Sequence, residues 1–293
     1  MKTPEYPLDV VLDTDAYNEI DDQFAIAYLL RSKPRLNTLA IYAAPFSNAI
    51  AATPEEGMEK SYEEIQHILE LCGEQAEVYR GSKTYLSDEQ TPVDSPAVRD
   101  LIKKAMAHSA EKPLYVVAIG AITNVASALL LEPEIAQRIV IVWLGGHAYH
   151  YHDTQEFNMR QDFGAARVVL RSEAPFVQLP CRGVVSEFAT TGPELEKLLY
   201  DKNPLADYLA RNTVRHVLER KKAGLIWSKP LWDVAAIGWL LNEDERFMHG
   251  RIVSARLPDD NGQYMPAIDR KIHYVYYIQR DALMTDLVEK LTK

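Results

Sequence analysis

The chain has 293 residues, with 32 Lys plus Arg against 42 Asp plus Glu, a formal net charge of −10 at pH 7. That balance excludes a nonspecific nucleic-acid binder, which needs a basic face to neutralise phosphates, and 47% hydrophobic with 25% charged residues excludes global disorder. Cys72 and Cys181 form neither a Cys-x-x-Cys pair nor a Cys/His cluster. A thiolate zinc site and a disulfide framework therefore fall away, and a reducing, cytoplasmic setting fits.

The opening, Met1 to Asp15, carries one Lys, two prolines and a strand-length apolar run, which is not a signal-peptide pattern. No apolar stretch approaches the ~18–20 residues of a membrane span. Nearly continuous apolar, β-branched runs at Leu8–Leu12, Thr38–Ala43, Leu114–Ile119, Ile139–Leu144 and Phe176–Leu179 predict strands buried on both faces. Helical patterns separate and follow them at Asp22–Arg31, Glu55–Leu71, Pro96–His108, Thr123–Leu131, Phe163–Arg171, Pro204–Lys221, Leu231–Leu241 and Ala282–Leu291. This alternation predicts an α/β fold, an open and mainly parallel sheet with helices on both faces. With no repeat, low-complexity tract or Gly/Ser linker, residues 1–293 are expected to form one domain. The polar stretch Lys221–Gly224 is read as a loop or helix end. In the tail, a strand at Ile272–Ile278 and a closing helix are expected, with Asp259, Asp260 and Asp269 in solvated turns.

Open α/β sheets bind ligands at the carboxyl ends of their strands. After the first strand come Asp13, Asp15, Glu19, Asp21 and Asp22, five carboxylates within ten positions. Such a cluster is costly unless a cation or hydrogen-bond donors offset the repulsion. Hard oxygen donors without His or Cys suit Ca²⁺ or Mg²⁺; a solvated acidic loop with helix caps is the plainer alternative. Gly120 to Asn124 follows another strand, where a backbone carbonyl can complete an oxygen cage or the segment can be a tight turn. Gly145-Gly146 leads into a polar loop with His147, His150, His152, Glu156 and Asn158, groups suited to a polyhydroxylated ligand. Pro230 is expected to start a helix with Asp233 in its first turn, and Trp232 is either core or a flat stacking surface.

Together these pieces resemble the nucleoside hydrolase family, as a divergent member. Asp13-x-Asp15 and Asp21-Asp22 match its aspartate-rich opening, though the turn between them is two residues longer than the usual three. Gly120 to Asn124, Leu144-Gly145-Gly146, Glu156-Phe157-Asn158 and Asp233 match its later segments in order. The resemblance implies that Asp15, Asp22, the Ile119 carbonyl and Asp233 hold one Ca²⁺, with Asp13 orienting them from behind and Glu19 a competing ligand. It implies that Asp15 is also general base toward a calcium-bound water. Asp21 and Asn48 would bind the lower ribose hydroxyls, Glu156 and Asn158 the 5′ and 3′ side, and Leu144 would line the sugar. The implied partner is a nucleoside or other N-riboside, with no nucleic acid and no membrane, and the implied assembly is a homodimer or homotetramer.

The leaving-group side departs from the pattern. Trp232 stands where many members carry His, and resembles the Trp-Asp pair of purine-preferring members. An indole stacked on the base can favour its protonation. His147, His150 and His152 are candidate acids, because imidazole titrates near neutral pH, and His150 is placed at the substrate. Two other readings compete. One is a calcium- and ribose-binding protein with little turnover. The other is a haloacid-dehalogenase-type phosphatase, whose opening Asp-x-Asp is similar but whose later motifs the chain lacks.

Overall fold

The computed structural model describes residues 6–221 and 226–293. The strands are β1 (Leu8–Thr14), β2 (Leu36–Ala43), β3 (Val78–Arg80), β4 (Leu114–Ala118), β5 (Ile139–Leu144), β6 (Phe176–Leu179), β7 (Ala189–Thr190), β8 (Lys229–Pro230), β9 (Met248–Ser254) and β10 (Lys271–Ile278). The α-helices are α1 (Asp21–Leu30), α2 (Pro54–Cys72), α3 (Pro96–Met106), α4 (Thr123–Leu131), α5 (Phe157–Gln161), α6 (Phe163–Arg171), α7 (Gly192–Leu199), α8 (Pro204–Lys221), α9 (Val234–Leu240) and α10 (Arg280–Leu291). Of the expected loop at Lys221–Gly224, Lys221 ends α8 and 222–224 lie outside the described residues, as do residues 1–5 of the opening.

Eight strands form one sheet in the order β3-β2-β1-β4-β5-β6-β10-β9, parallel throughout except for the antiparallel β9–β10 edge. The uninterrupted apolar runs follow from two cores. Val10, Leu12, Val117, Val142 and Leu144 face a core shared with α1, α2, α9 and α10, while Val11, Val116, Ile141 and Trp143 face one shared with α3, α4 and α6. Alternate side chains thus point to opposite faces, and both faces are dry. The helices are capped as their sequences require. Thr53 Oγ1 accepts from Glu56 N at 3.1 Å, Ser95 Oγ from Val98 N at 3.3 Å, and Gly73, at φ 63°, ends α2. Among the described residues no helix is long and apolar enough to cross a membrane.

The sheet order reverses between β1 and β4. The chain runs outward through β2 and β3, then returns to lay β4 on the other side of β1. Loops leaving two such strands diverge and open a crevice. The elements that positioned this crevice were expected from sequence. Six short or edge elements were not: β3, β7, β8, β9, α5 and α7. Met248–Ser254 carries His, Gly, Arg and Ser among its seven residues and is partly exposed, because an edge strand needs no continuous apolar run. Asp259 forms its expected turn by accepting from Asn261 and Gln263, while Asp260, exposed, pairs with Arg167.

Candidate active site

A cavity of about 410 Å³ opens at the reversal point. From the turn after β1 it takes Asp15, Asn18 and Glu19, and from the start of α1 it takes Asp21 and Asp22. Ile119 follows β4, Leu144 ends β5, Glu156 and Asn158 come from the loop and α5 behind it, and Asn48 projects from the segment after β2. Trp232 and Asp233 close it ahead of α9.

Asp13 does not reach the cavity. It remains inside β1, paired in register with Tyr42 on β2 and Ala118 on β4. Its Oδ1 accepts from Asn124 Nδ2 at 2.7 Å, and its buried Oδ2 has no partner. Burial raises its pKa to about 7, against the lowering effect of Asn124. Asn124 is itself fixed, since its Oδ1 accepts from both Ser82 N and Ser82 Oγ at 2.8 Å.

Asp15, Asp22 and Asp233 are buried, and all three pKa values are raised. Burial is the largest cause for each. Asp22 repels Asp15, Asp21 repels Asp22, and Asp21, Asp22 and Asp15 repel Asp233. Asp22 reaches about 7, moderated by the hydrogen bond from Thr14 Oγ1 at 2.5 Å. One buried oxygen, Asp15 Oδ2, accepts no hydrogen bond within the protein. An unpartnered buried carboxylate oxygen costs free energy unless a ligand satisfies it.

Lys229 was overlooked in the sequence and is the main cation here. It is fully buried, and its Nζ donates to Asp21 Oδ1 at 3.0 Å and to Glu19 Oε2. The same ammonium lies 4.0 Å from the centre of the Trp232 ring. Burial works against its charge, but Asp21 and Glu19 outweigh that and hold its pKa above the usual lysine value. The longer turn after β1 thus delivers Glu19 to Lys229. Pairing of Thr190 with Lys229 in the β7–β8 ribbon sets where the lysine stands. Pro230 sits in that ribbon instead of starting a helix. A two-residue strand tolerates its missing N–H, so α9 begins at Val234 and Asp233 becomes its N-cap residue, without a side-chain cap bond. Asp233 N instead donates to Asp21 Oδ2 at 3.3 Å.

The opposite wall is built around two hydrogen-bonded side chains. Glu156 accepts from Gly146 N, Asn158 N and Met159 N, each at 3.0 Å. Gly146 makes this approach at φ +79°, where a Cβ would lie 2.5 Å from Tyr264 Oη. Asn158 Nδ2 donates to the Ile119 and Leu144 carbonyls, both at 3.0 Å. It therefore ties the two strand ends together and leaves its own Oδ1 for a ligand. Asn48 Nδ2 donates to Asn18 Oδ1 at 2.7 Å.

Of the three histidines, the cavity takes His147 alone. His150 is exposed outside it, and His152 is 88% exposed beside Asp153. The cause is local: His147 N donates to Thr154 Oγ1 and its carbonyl accepts from Tyr264 Oη, which draw the first loop residue inward and leave the next ones outside. Burial, then the charge of Arg182, pushes the His147 pKa down to about 4, so it is neutral at pH 7 and is not a cationic acid. Trp232 is oriented by its own bond, Nε1 to Ser186 Oγ at 3.0 Å.

Among the described residues no group of three or more His, Cys, Asp or Glu forms a ready-made metal cage. The donor chemistry nevertheless fits a hard cation. Three buried carboxylates repel one another, one oxygen has no partner, and no thiolate or cationic imidazole intrudes.

The family model described as inosine-uridine preferring nucleoside hydrolase matches residues 10–279. The non-specific ribonucleoside hydrolase RihC of Escherichia coli is 30% identical over 166 residues, 55% of this chain and 51% of that protein. The inosine-uridine preferring nucleoside hydrolase of Leishmania major is 28% identical over 184 residues, 56% of this chain and 57% of its own. The matched part of the chain thus spans about half the length of these curated relatives. A solved plant nucleoside hydrolase, PpNRh1, superposes with a TM-score of 0.79 at 21% identity, covering 98% of this chain and 99% of that one, so the fold is shared. Since the family match runs from the first buried strand, through the acidic turn, to the last strand of the sheet, the chain belongs to the inosine-uridine preferring nucleoside hydrolase family.

Proposed function

We propose that this chain hydrolyses the N-glycosidic bond of a ribonucleoside with the help of one Ca²⁺. The observation that carries the reading is the gathering of Asp15, Asp21, Asp22 and Asp233 at the sheet reversal, facing the Glu156–Asn158 wall across one cavity. Cleavage of a ribosyl C1′–N bond passes through an oxocarbenium-like transition state. A floor of buried carboxylates stabilises that developing positive charge. Asp15, whose Oδ2 is unengaged, takes the proton from the attacking water. Asp21 and Asn48 bind the lower hydroxyls, with Asp21 oriented by Lys229 and by Asp233 N. Asn158 Oδ1 and the Glu156 carboxylate serve the 3′ and 5′ side, and Leu144 lines the sugar. Asp15, Asp22, Asp233 and the Ile119 carbonyl would hold Ca²⁺, while Asp13 stiffens β1 beneath them. Bound there, calcium supplies Lewis acidity and a template for oxygen atoms. The reading takes residues 1–293 as a single domain, acting in the cytoplasm as a homodimer or homotetramer on a small-molecule riboside.

Calcium affinity depends on ionised ligands. The carboxylates at this site have raised pKa values, so acid protonates them before the metal binds. Ca²⁺ is therefore expected to raise Tm more at pH 8 than at pH 5. An equal rise at both would place calcium elsewhere.

The reading is tested by incubating the protein with purine and pyrimidine ribosides and quantifying free base and ribose. Equimolar release is expected; tight binding of intact riboside without release would favour a binding protein. With the best substrate, Trp232→Ala is expected to lower kcat/KM by about tenfold, the scale of one lost aromatic stack. An unchanged kcat/KM would remove Trp232 from the leaving-group side.

A further inference from the structure

The carboxylate side of the cavity is acidic, but the rest of its lining is not. Arg160, at the end of α5, and Arg182, just after β6, line the same cavity as Asp15 and Asp233. Several arginines of this net-negative chain pair with acids, Arg99 with Asp94, Arg167 with Glu89 and Asp260, and Arg280 with Glu194, while Arg251 and Arg256 lie over the rings of Tyr276 and Tyr149. Among the described residues neither Arg160 nor Arg182 has a carboxylate at ion-pair distance; Arg160 lies 5.2 Å from the centre of the Phe157 ring. Both nevertheless act on groups of the site: Arg160 favours the ionised form of Glu156, and Arg182 acts on His147 and Cys181. The same cavity holds a second, independent sign of a ligand. His147 is 4% exposed and lines the cavity, yet its buried Nδ1 has no hydrogen-bond partner.

In the reading above a neutral nucleoside engages the carboxylates, Asn48, Asn158 and Trp232, and leaves Arg160, Arg182 and the His147 Nδ1 without a role. Guanidinium forks match carboxylates and phosphates through paired N–H donors, and such bonds are about twice as strong as neutral ones. We infer that the riboside this cavity takes carries an anionic group, a phosphate on the sugar or a carboxylate on the base, held by Arg160, Arg182 and His147. This rests on the riboside reading above and narrows it. Substrate polarity then mirrors the site: hydroxyls and developing positive charge meet the acids, and the fixed negative charge meets the arginines.

The test uses matched pairs that differ in one anionic group: uridine against uridine 5′-monophosphate, and nicotinamide riboside against nicotinic acid riboside. In one pair, kcat/KM for the member with the anionic group is expected to exceed that for the member without it by about tenfold or more, the scale of one charge-assisted hydrogen bond. The pair that responds identifies the source of the charge. The Arg160→Ala/Arg182→Ala double variant is expected to bring that ratio close to one, and the corresponding double Lys variant to keep part of it. Both side chains are exposed, so the melting temperature should hold and a fold defect is distinguishable. Equal or inverted ratios in both pairs, or a ratio that survives the double Ala variant, would overturn the inference while turnover of the member without the anionic group keeps the hydrolase reading. If no riboside is turned over, that reading fails, and calorimetric titration with ribose 5-phosphate against ribose, and nicotinate against nicotinamide, decides the inference. Tighter binding of an anion, lost in the double Ala variant, supports it; equal affinities refute it.

Discussion

Asp15→Asn is expected to lower kcat by about 10²–10⁴-fold, the range of a lost general base, and at the same time to make the calcium-free protein more stable at pH 8. The two effects have one origin. Asp15 is buried, repelled by Asp22, and left with an oxygen that no protein group satisfies. Its folded pKa therefore lies above the unfolded one. For a carboxylate shifted upward, folding stability is complete below the unfolded pKa and falls as pH rises through the folded pKa, where the ionised form must be buried. Asparagine keeps the shape and removes that cost. Paired steady-state assays and melts in chelator at pH 8 check this. A variant that loses activity and stability together would make Asp15 a structural residue. Such stability held back at a working site is a common trade.

The second large effect concerns Lys229. Lys229→Met is expected to destabilise the protein by about 3–5 kcal/mol, the usual result of breaking a buried ion pair by removing one partner. Methionine fills the volume, so the loss reflects charge: Asp21, 1% exposed, and Glu19 are left without their cation. Glu19→Gln on the Lys229→Met background should recover part of it, because residues in one network are not additive. Urea unfolding of the four proteins at pH 8 measures this. Additive effects would mean that Lys229 matters only for packing against Trp232.

Much of this arrangement was legible in the sequence because its physics is local. Val10, Val11 and Leu12 are apolar in succession since each face of β1 meets a dry core, and that pattern alone identifies a parallel central strand. The acidic turn announced itself by density: five carboxylates in ten positions exceed what caps require. Its internal order was hidden. Spacing alone does not show that β1 runs on through Asp13 and Thr14; only the family resemblance set Asp13 behind the other carboxylates, and the strand keeps it out of the cavity and leaves Asp15 as the first residue in it. Lys229 was invisible because its partners are 208 and 210 positions away, brought together only by the β7–β8 ribbon. His147 and His150 look equivalent in a polar loop, and two backbone hydrogen bonds of His147, one donated to Thr154 and one accepted from Tyr264, decide which one enters. Residue type and position after a strand can thus nominate a site, whereas long-range pairing fixes which atoms face the ligand.

The most direct test of the central claim is base release from a natural riboside by protein stripped with chelator and then restored with Ca²⁺. Release should disappear on stripping, return with Ca²⁺, and stay about 10²–10⁴-fold lower in restored Asp15→Asn. Undiminished release from the stripped protein would contradict that claim, because the acidic floor would then be working without its cation.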